Sequence, residues 1–256
     1  MIGRLLLNGM LVGLVAAILS FGFLKLAGEP SVDRAISFEN AMDEAKVRAE
    51  AAAKGPLMPV QQAEPELVSR PVQAGIGLLT GVLVYSTTIG GFFALVFAFA
   101  YRRMADIGPR ATSALLAAAG FVAVHLVPML KYPANPPSVG LPETIGMRTS
   151  LYFVVILISL AAMIAGGMLR NRISPRLGGW NSALIAAGAY VIVMAVVAFA
   201  LPNVDEVPEN FPATVLWQFR VASLGSQLIM WTTLGLLFGV LAERQFSQHR
   251  SVSWAL

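Results

Sequence analysis

The chain has 256 residues, of which 57% are hydrophobic and 12% charged, with a mean hydropathy of +0.71. Soluble domains carry roughly 25% charged residues, so the composition excludes an ordinary soluble protein and indicates an integral membrane protein. The absence of cysteine excludes a disulfide framework and a thiol nucleophile, and the two histidines, His125 and His249, are too few for a histidine-rich site. The formal net charge of +4 does not call for a nucleic-acid partner, because arginines flanking membrane helices give the same surplus.

Six apolar segments predict the fold, because each is long enough to cross the hydrocarbon core of a bilayer. They cover residues 5–24, 71–101, 111–130, 149–169, 178–201 and 221–242. We therefore expect an all-α, polytopic membrane helix bundle in which residues 1–256 form a single domain in contact with lipid. A cleaved secretory signal is the alternative for the first segment, but signal peptides have shorter apolar regions of about 7–15 residues.

Residues 27–71 form the longest polar segment. Gly28-Glu29-Pro30 is expected to end the first membrane helix, because proline lacks the N–H that a continuing helix needs. An amphipathic surface helix is predicted over residues 33–54, ended by Gly55-Pro56. Two pairs of opposite charge lie at i, i+4 spacing, Glu44/Arg48 and Glu50/Lys54. A thin apolar stripe is formed by Phe38, Met42, Ala45 and Ala49.

Two further connectors have distinctive compositions. Residues 131–148 contain four prolines, at positions 133, 136, 137 and 142, and each proline fixes φ and removes a backbone donor. The sequence therefore predicts a stiff, non-helical structural connector, built on Lys131, Tyr132, Pro133, Asn135, Pro136 and Pro137. The connector over residues 202–220 is acidic.

The distribution of charge predicts an orientation. Arginine-rich connectors at residues 102–110 and 170–176 alternate with the proline-rich and acidic ones, so the positive-inside rule places both termini in the cytoplasm. Twelve of the fourteen acidic residues then fall on the outer side, the exceptions being Asp106 and Glu243. An entrance with this negative potential attracts cations.

Five residues are candidate metal ligands. His125 is the ionisable side chain that lies deep within a predicted helix, which makes it a candidate ligand or proton relay; alternatively it bonds a carbonyl freed by Pro128. Four acidic residues of the outer connectors offer oxygen ligands to a divalent cation, or are simply solvated loop acids: Glu143, Asp205, Glu206 and Glu209.

Hydroxyl groups and small residues mark the helix interiors. Tyr85, Ser86, Thr87 and Thr88 lie in the middle of one apolar segment and either line a polar path or bond back within their own helix. Pairs of glycines four residues apart predict faces where helices approach closely: Gly9/Gly13, Gly77/Gly81 and Gly235/Gly239. Phosphate loops, zinc-protease motifs and nucleophile elbows are missing from the sequence, so we expect neither an enzyme nor a permanently bound cofactor.

Four stretches carry a family resemblance: residues 28–36, residues 75–94 with their glycines, Lys131-Tyr-Pro-Ala-Asn-Pro-Pro137, and residues 206–213. Together they resemble the CbtA family of bacterial cobalt transporter subunits. The resemblance implies a multi-pass protein of the bacterial cytoplasmic (inner) membrane that takes up Co²⁺ for cobalamin synthesis. It further implies a small one-helix partner with a histidine-rich end, CbtB, and is compatible with a homo-oligomer.

Members of that family often carry histidines in the first outer loop, whereas residues 45–62 of this chain contain none. Imidazole ligands would then come mainly from the partner. The alternative function is a non-transporting membrane scaffold that orients a metal-binding partner subunit.

Overall fold

The computed structural model of the chain describes residues 2–54, 68–103 and 107–253, which are helical apart from short connections and contain no strand. Within these residues, five helical stretches are long and apolar enough to cross a membrane. We label them α1 (Ile2–Phe23) with its continuation α2 (Glu29–Lys54), α3 (Arg70–Tyr101), α4 (Pro109–Lys131), α5 (Ile145–Ala200) and α6 (Ala213–Gln248). The predicted membrane bundle is confirmed as an all-helical architecture.

The prediction that Gly28-Glu29-Pro30 ends the first helix was wrong. The chain passes from α1 into α2 through a wider π turn, Leu24–Gly28, in which the Glu29 N–H donates to the carbonyl of Leu24. This turn accommodates Pro30 because a π turn relieves the contact between the proline ring and the preceding turn. The helix therefore continues out of the bundle without a loop.

Residues 33–54, predicted as a separate surface helix, are helical as part of α2, and only the first half of this stretch packs. Ala35 is fully buried, and the ring of Phe38 meets that of Phe211 edge-on at 5.1 Å between centroids. Further along the stripe, Met42 is half-buried and Ala45 and Ala49 are exposed, so the second half contacts no core. The expected Glu44–Arg48 ion pair is present at 2.9 Å on this exposed stretch. The second pair and the stop at Gly55-Pro56 involve positions outside the described residues and side chains.

Helix α5 is two helices joined at a sharp bend. Gly178 has φ 77° and ψ 163°, a conformation that essentially only glycine adopts. The hydroxyls of Ser159 and Tyr190 lie 2.7 Å apart, although a straight helix would separate residues 31 positions apart by about 46 Å. The parts before and after Gly178 therefore lie side by side and antiparallel.

Glycines hold α1 against α3. A Cβ added at Gly9 would lie 2.3 Å from the carbonyl oxygen of Gly90, and one added at Gly13 would lie 2.4 Å from that of Ser86. The predicted small-residue face at Gly9/Gly13 is thus confirmed, as is the one at Gly235/Gly239, which meets α4. The prediction for Gly81 was wrong: no neighbour comes within 4 Å of a Cβ placed there.

The two ends of the bundle differ. An aromatic core around Phe93, Phe97 and Phe238, with centroid separations of 5.0 and 5.4 Å, fills the half of the bundle where Arg110 pairs with Glu243 at 2.6 Å. We call this the arginine end. At the opposite end, which we call the connector end, residues 132–144 and 201–212 meet each other and the start of α2.

Candidate functional site at the connector end

A cavity of about 900 Å³, which we call the vestibule, lies at the connector end. Its walls come from both connectors and from α3, α4, α5 and α6. The polar and charged side chains that line it are Tyr85, His125, Tyr132, Asn135, Arg148, Thr149, Tyr152, Asp205, Glu206, Arg220, Ser223 and Gln227. The sequence predicted only some of these as site residues.

The proline-rich connector forms one wall. Its non-helical conformation begins after Lys131, as its prolines predict. Lys131 Nζ donates to the carbonyl of Leu201 at 3.0 Å and to Asn203 Oδ1 at 2.6 Å, and the Tyr132 hydroxyl donates to the carbonyl of Pro202 at 2.9 Å. Desolvation raises the pKa of Tyr132, so its hydroxyl remains a donor at neutral pH. These bonds fix the connector against the end of α5.

Glu206 fastens the two connectors together. Its Oε2 accepts hydrogen bonds from the Leu141 N–H at 2.8 Å and from Thr144 Oγ1 at 2.9 Å, and it lies 3.4 Å from Arg148 Nε. The Leu141 N–H, then the Thr144 hydroxyl and the Arg148 charge, lower the pKa of Glu206. This carboxylate therefore stays ionised and is already engaged with protein groups.

Arg220 holds the proline-rich connector from the other side. Its Nη2 donates to Asn135 Oδ1 at 2.9 Å, and its Nε donates to the carbonyl of Ala134 at 3.3 Å. The sequence placed Arg220 in the acidic connector, ahead of a membrane segment expected to start at residue 221. The helix itself starts earlier: α6 begins at Ala213, after Pro212, so Arg220 lies on the second turn of the helix and lines the vestibule.

His125 lies in the inner part of the vestibule wall, on α4. Its side chain is 8% exposed, and its Nε2 has no hydrogen-bond partner. This arrangement does not show the alternative expected from the sequence, a bond from this nitrogen to a carbonyl freed by Pro128.

A family model described as "Probable cobalt transporter subunit (CbtA)" matches residues 2–243. The chain belongs to the CbtA family. This confirms the resemblance read from residues 28–36, 75–94, 131–137 and 206–213, and it places the chain in a family of probable cobalt transporter subunits. No curated protein and no solved structure matches the chain.

The five candidate ligands of this CbtA chain are dispersed. His125, Asp205 and Glu206 line the vestibule, whereas Glu143 and Glu209 are exposed and do not. Within residues 2–54, 68–103 and 107–253, no three histidine, aspartate or glutamate side chains come together as a metal-binding group. An ion in this vestibule would therefore meet its ligands at separate positions.

The hydroxyl run of the CbtA chain is likewise divided. Tyr85 lines the vestibule. Ser86 and Thr87 lie instead against Gly13 at the crossing of α1 and α3, and Thr88 is exposed. Of this predicted set, the structure brings only Tyr85 to the cavity.

Sequence reasoning missed Gln227 and Tyr152 as lining residues. Gln227 carried a usable signal, because an amide in the middle of an apolar membrane segment must find a polar partner or a cavity. Tyr152 carried none, because a tyrosine near the start of a membrane helix is typical of interfacial positions. Only the folding of α5 against α4 brings it to the vestibule.

Proposed function

We propose that this CbtA chain is the membrane subunit of a Co²⁺ uptake transporter that supplies cobalamin synthesis, and that Co²⁺ enters through the vestibule. The observation that carries the proposal is the cavity of about 900 Å³ at the connector end, reaching from Asp205 at its rim to His125 on a membrane helix. A hydrated divalent cation fits within such a volume, and the family description supplies the cargo.

The proposed arrangement has six crossings in the bacterial inner membrane, with both termini in the cytoplasm. The bend at Gly178 supports the count, because each part of α5 is long enough to cross. The arginine end would then face the cytoplasm by the positive-inside rule. The connector end would face outward, toward the source of the ion.

Acidic side chains at the connector end would gather the cation. Asp205 is exposed at the vestibule, and Glu143 and Glu209 are exposed elsewhere on the connectors. Exposed carboxylates attract a divalent cation over about a Debye length, roughly 8 Å at physiological salt. Glu206 has a different role in this proposal, because its hydrogen bonds hold the two connectors together at the vestibule.

A small one-helix subunit of the CbtB type, with a histidine-rich end, is the proposed partner. The family description supports the need for a partner, because it makes this chain a subunit. The chain itself has only two histidines. Transition-metal ions bind imidazole well, so the partner would supply the ligands that capture Co²⁺ before it enters.

Uptake of radioactive ⁵⁷Co²⁺ tests the proposal in cells that lack other cobalt importers. The cells would express this chain, its partner, or both, and we expect uptake above background when both are present. Asp205→Asn should raise the Co²⁺ concentration for half-maximal uptake, whereas Asp43→Asn, on the exposed part of α2, should not. If Co²⁺ uptake does not exceed background with this chain, its partner or both, the transport role is excluded. If the partner alone gives the same uptake as both together, this chain is the non-transporting scaffold.

A further inference from the structure

The inner part of the vestibule contains polar atoms that lack partners. Among the described side chains, the Nε2 of His125 and the Oε1 of Gln227 are both buried without a hydrogen bond, whereas the amide of Gln227 is hydrogen-bonded to the Tyr85 hydroxyl. They belong to α4 and α6, and both residues line the vestibule. Buried polar atoms are nearly always paired in folded proteins, so two unpaired atoms on facing helices call for a ligand or a bound water.

The two atoms share one kind of chemistry. An imidazole nitrogen whose ring proton is on Nδ1 presents a lone pair, and an amide oxygen presents lone pairs as well. Neither atom carries a formal charge. In this tautomer both atoms are acceptors, so a small cation or a water molecule satisfies them, whereas an anion does not.

The surroundings limit what can reach them. Neither atom is exposed to solvent in this conformation, so a ligand must be small and the side chains must turn toward it. On the arginine-end side, the ring of Trp231 lies against Gly120, where an added Cβ would come within 2.3 Å of the ring. This close packing involves residues that do not line the vestibule, whose lining includes residues of both connectors.

The backbone at His125 also departs from a regular helix. His125 lies in a π turn, Phe121–Leu126, after which the Val127 N–H donates to the carbonyl of Val122. Pro128 follows within one turn. Single π turns within helices occur frequently at functional sites, and the looser spacing gives this segment room to reorient the imidazole.

We propose that His125 and Gln227 form a binding site for a partly hydrated transition-metal dication of the Co²⁺, Ni²⁺ and Zn²⁺ class. This inference rests on the proposed function and adds to it the position and selectivity of the site. Imidazole favours these ions over Mg²⁺ and Ca²⁺, which prefer oxygen ligands. The remaining coordination positions hold water, whose hydrogen bonds go to the hydroxyls of Tyr85, Tyr152 and Ser223 around the same cavity.

Direct binding of Co²⁺ to the purified full-length chain tests the site without requiring transport. The protein would carry no histidine tag, and titration calorimetry would be combined with X-ray absorption at the cobalt edge. We expect one bound Co²⁺ with an imidazole ligand. His125→Ala should weaken binding about tenfold or more, whereas His249→Ala, which removes the chain's other histidine, should leave it unchanged.

Gln227 provides a test in both directions. Gln227→Leu should weaken Co²⁺ binding, and Gln227→Glu should tighten it, because a carboxylate adds charge to the same oxygen position. A tighter variant cannot result from misfolding. Ni²⁺ should displace Co²⁺ at equal concentration, and a hundredfold excess of Mg²⁺ should not.

Three results would overturn the site: equal Co²⁺ affinity in the wild type and in monodisperse His125→Ala, displacement by Mg²⁺ at equal concentration, or weaker binding by Gln227→Glu. These outcomes are distinguishable from failure of the proposed function. A chain that binds Co²⁺ through His125 but supports no uptake keeps the site and loses the transport role. Co²⁺ uptake that is unaffected by His125→Ala keeps the transport role and excludes the site.

Discussion

Glu206 makes the stability of the connector end depend on pH. Its pKa is lowered from the ordinary value of 4.5, chiefly by the Leu141 N–H, so the unfolded state binds more protons than the folded state as acid is added. The stabilisation of the folded state by ionised Glu206 is therefore complete above about pH 4.5, and it is lost as the pH falls through the lower, folded-state pKa.

Glu206→Gln should lower the midpoint of thermal unfolding at pH 7, because a neutral amide loses the charge interaction with Arg148. The difference from the wild type should shrink as the pH falls below about 4.5, the ordinary pKa of the group. Glu209→Gln changes the net charge equally at an exposed position three residues away and should have little effect. Parallel melting curves for wild type and Glu206→Gln across this range would contradict the assignment.

Residues differ in how far the sequence reveals them. His125 could be singled out as a candidate functional residue, because an ionisable group within an apolar segment is conspicuous without knowledge of its neighbours. The role of Glu206 was not, because its partners Leu141 and Thr144 lie 65 and 62 positions away in the chain. From the sequence alone, a carboxylate that joins two connectors through hydrogen bonds cannot be distinguished from one that binds a cation.

At the scale of elements, the crossing of α1 and α3 depends on the absence of side chains at glycine. Gly90→Leu should lower the midpoint of thermal unfolding in detergent, at a cost of about 1–3 kcal/mol, because the new side chain would force the two backbones apart. Gly81→Leu, on the same helix, has nothing within 4 Å and should be neutral or slightly stabilising. Equal melting points for the two variants would show that the close crossing is absent.

Helix boundaries were the least predictable feature of the elements. The sequence predicted six apolar segments from the length that a bilayer requires, and the described residues form five long apolar helical stretches. Two prolines had different effects on helix boundaries. Pro30 was expected to end a helix but lies within one that continues, whereas Pro212 immediately precedes the start of α6. A local rule says that proline perturbs a helix, but here the chain reaches Pro30 through a π turn, and Ser31 and Ala35 just beyond it are fully buried.

At the scale of the whole molecule, the proposed orientation is open to direct labelling, because the chain contains no cysteine. Single cysteines at Glu143 and Glu209, both exposed at the connector end, should react in intact spheroplasts with a membrane-impermeant maleimide. A cysteine at Arg172, in the sharp bend region of α5, should react only after the membrane is opened. Labelling of Arg172→Cys but not Glu143→Cys in intact cells would reverse the orientation.

The continuous passage from α1 into α2 has a mechanical consequence. Residues 43–52 are exposed on every side, and at about 1.5 Å per residue this stretch extends about 15 Å past the last packed turn. No hinge of coil separates it from the glycine contact deep in the bundle. A force applied to this stretch would therefore be transmitted along continuous helix to the crossing of α1 and α3, rather than being absorbed by a flexible loop.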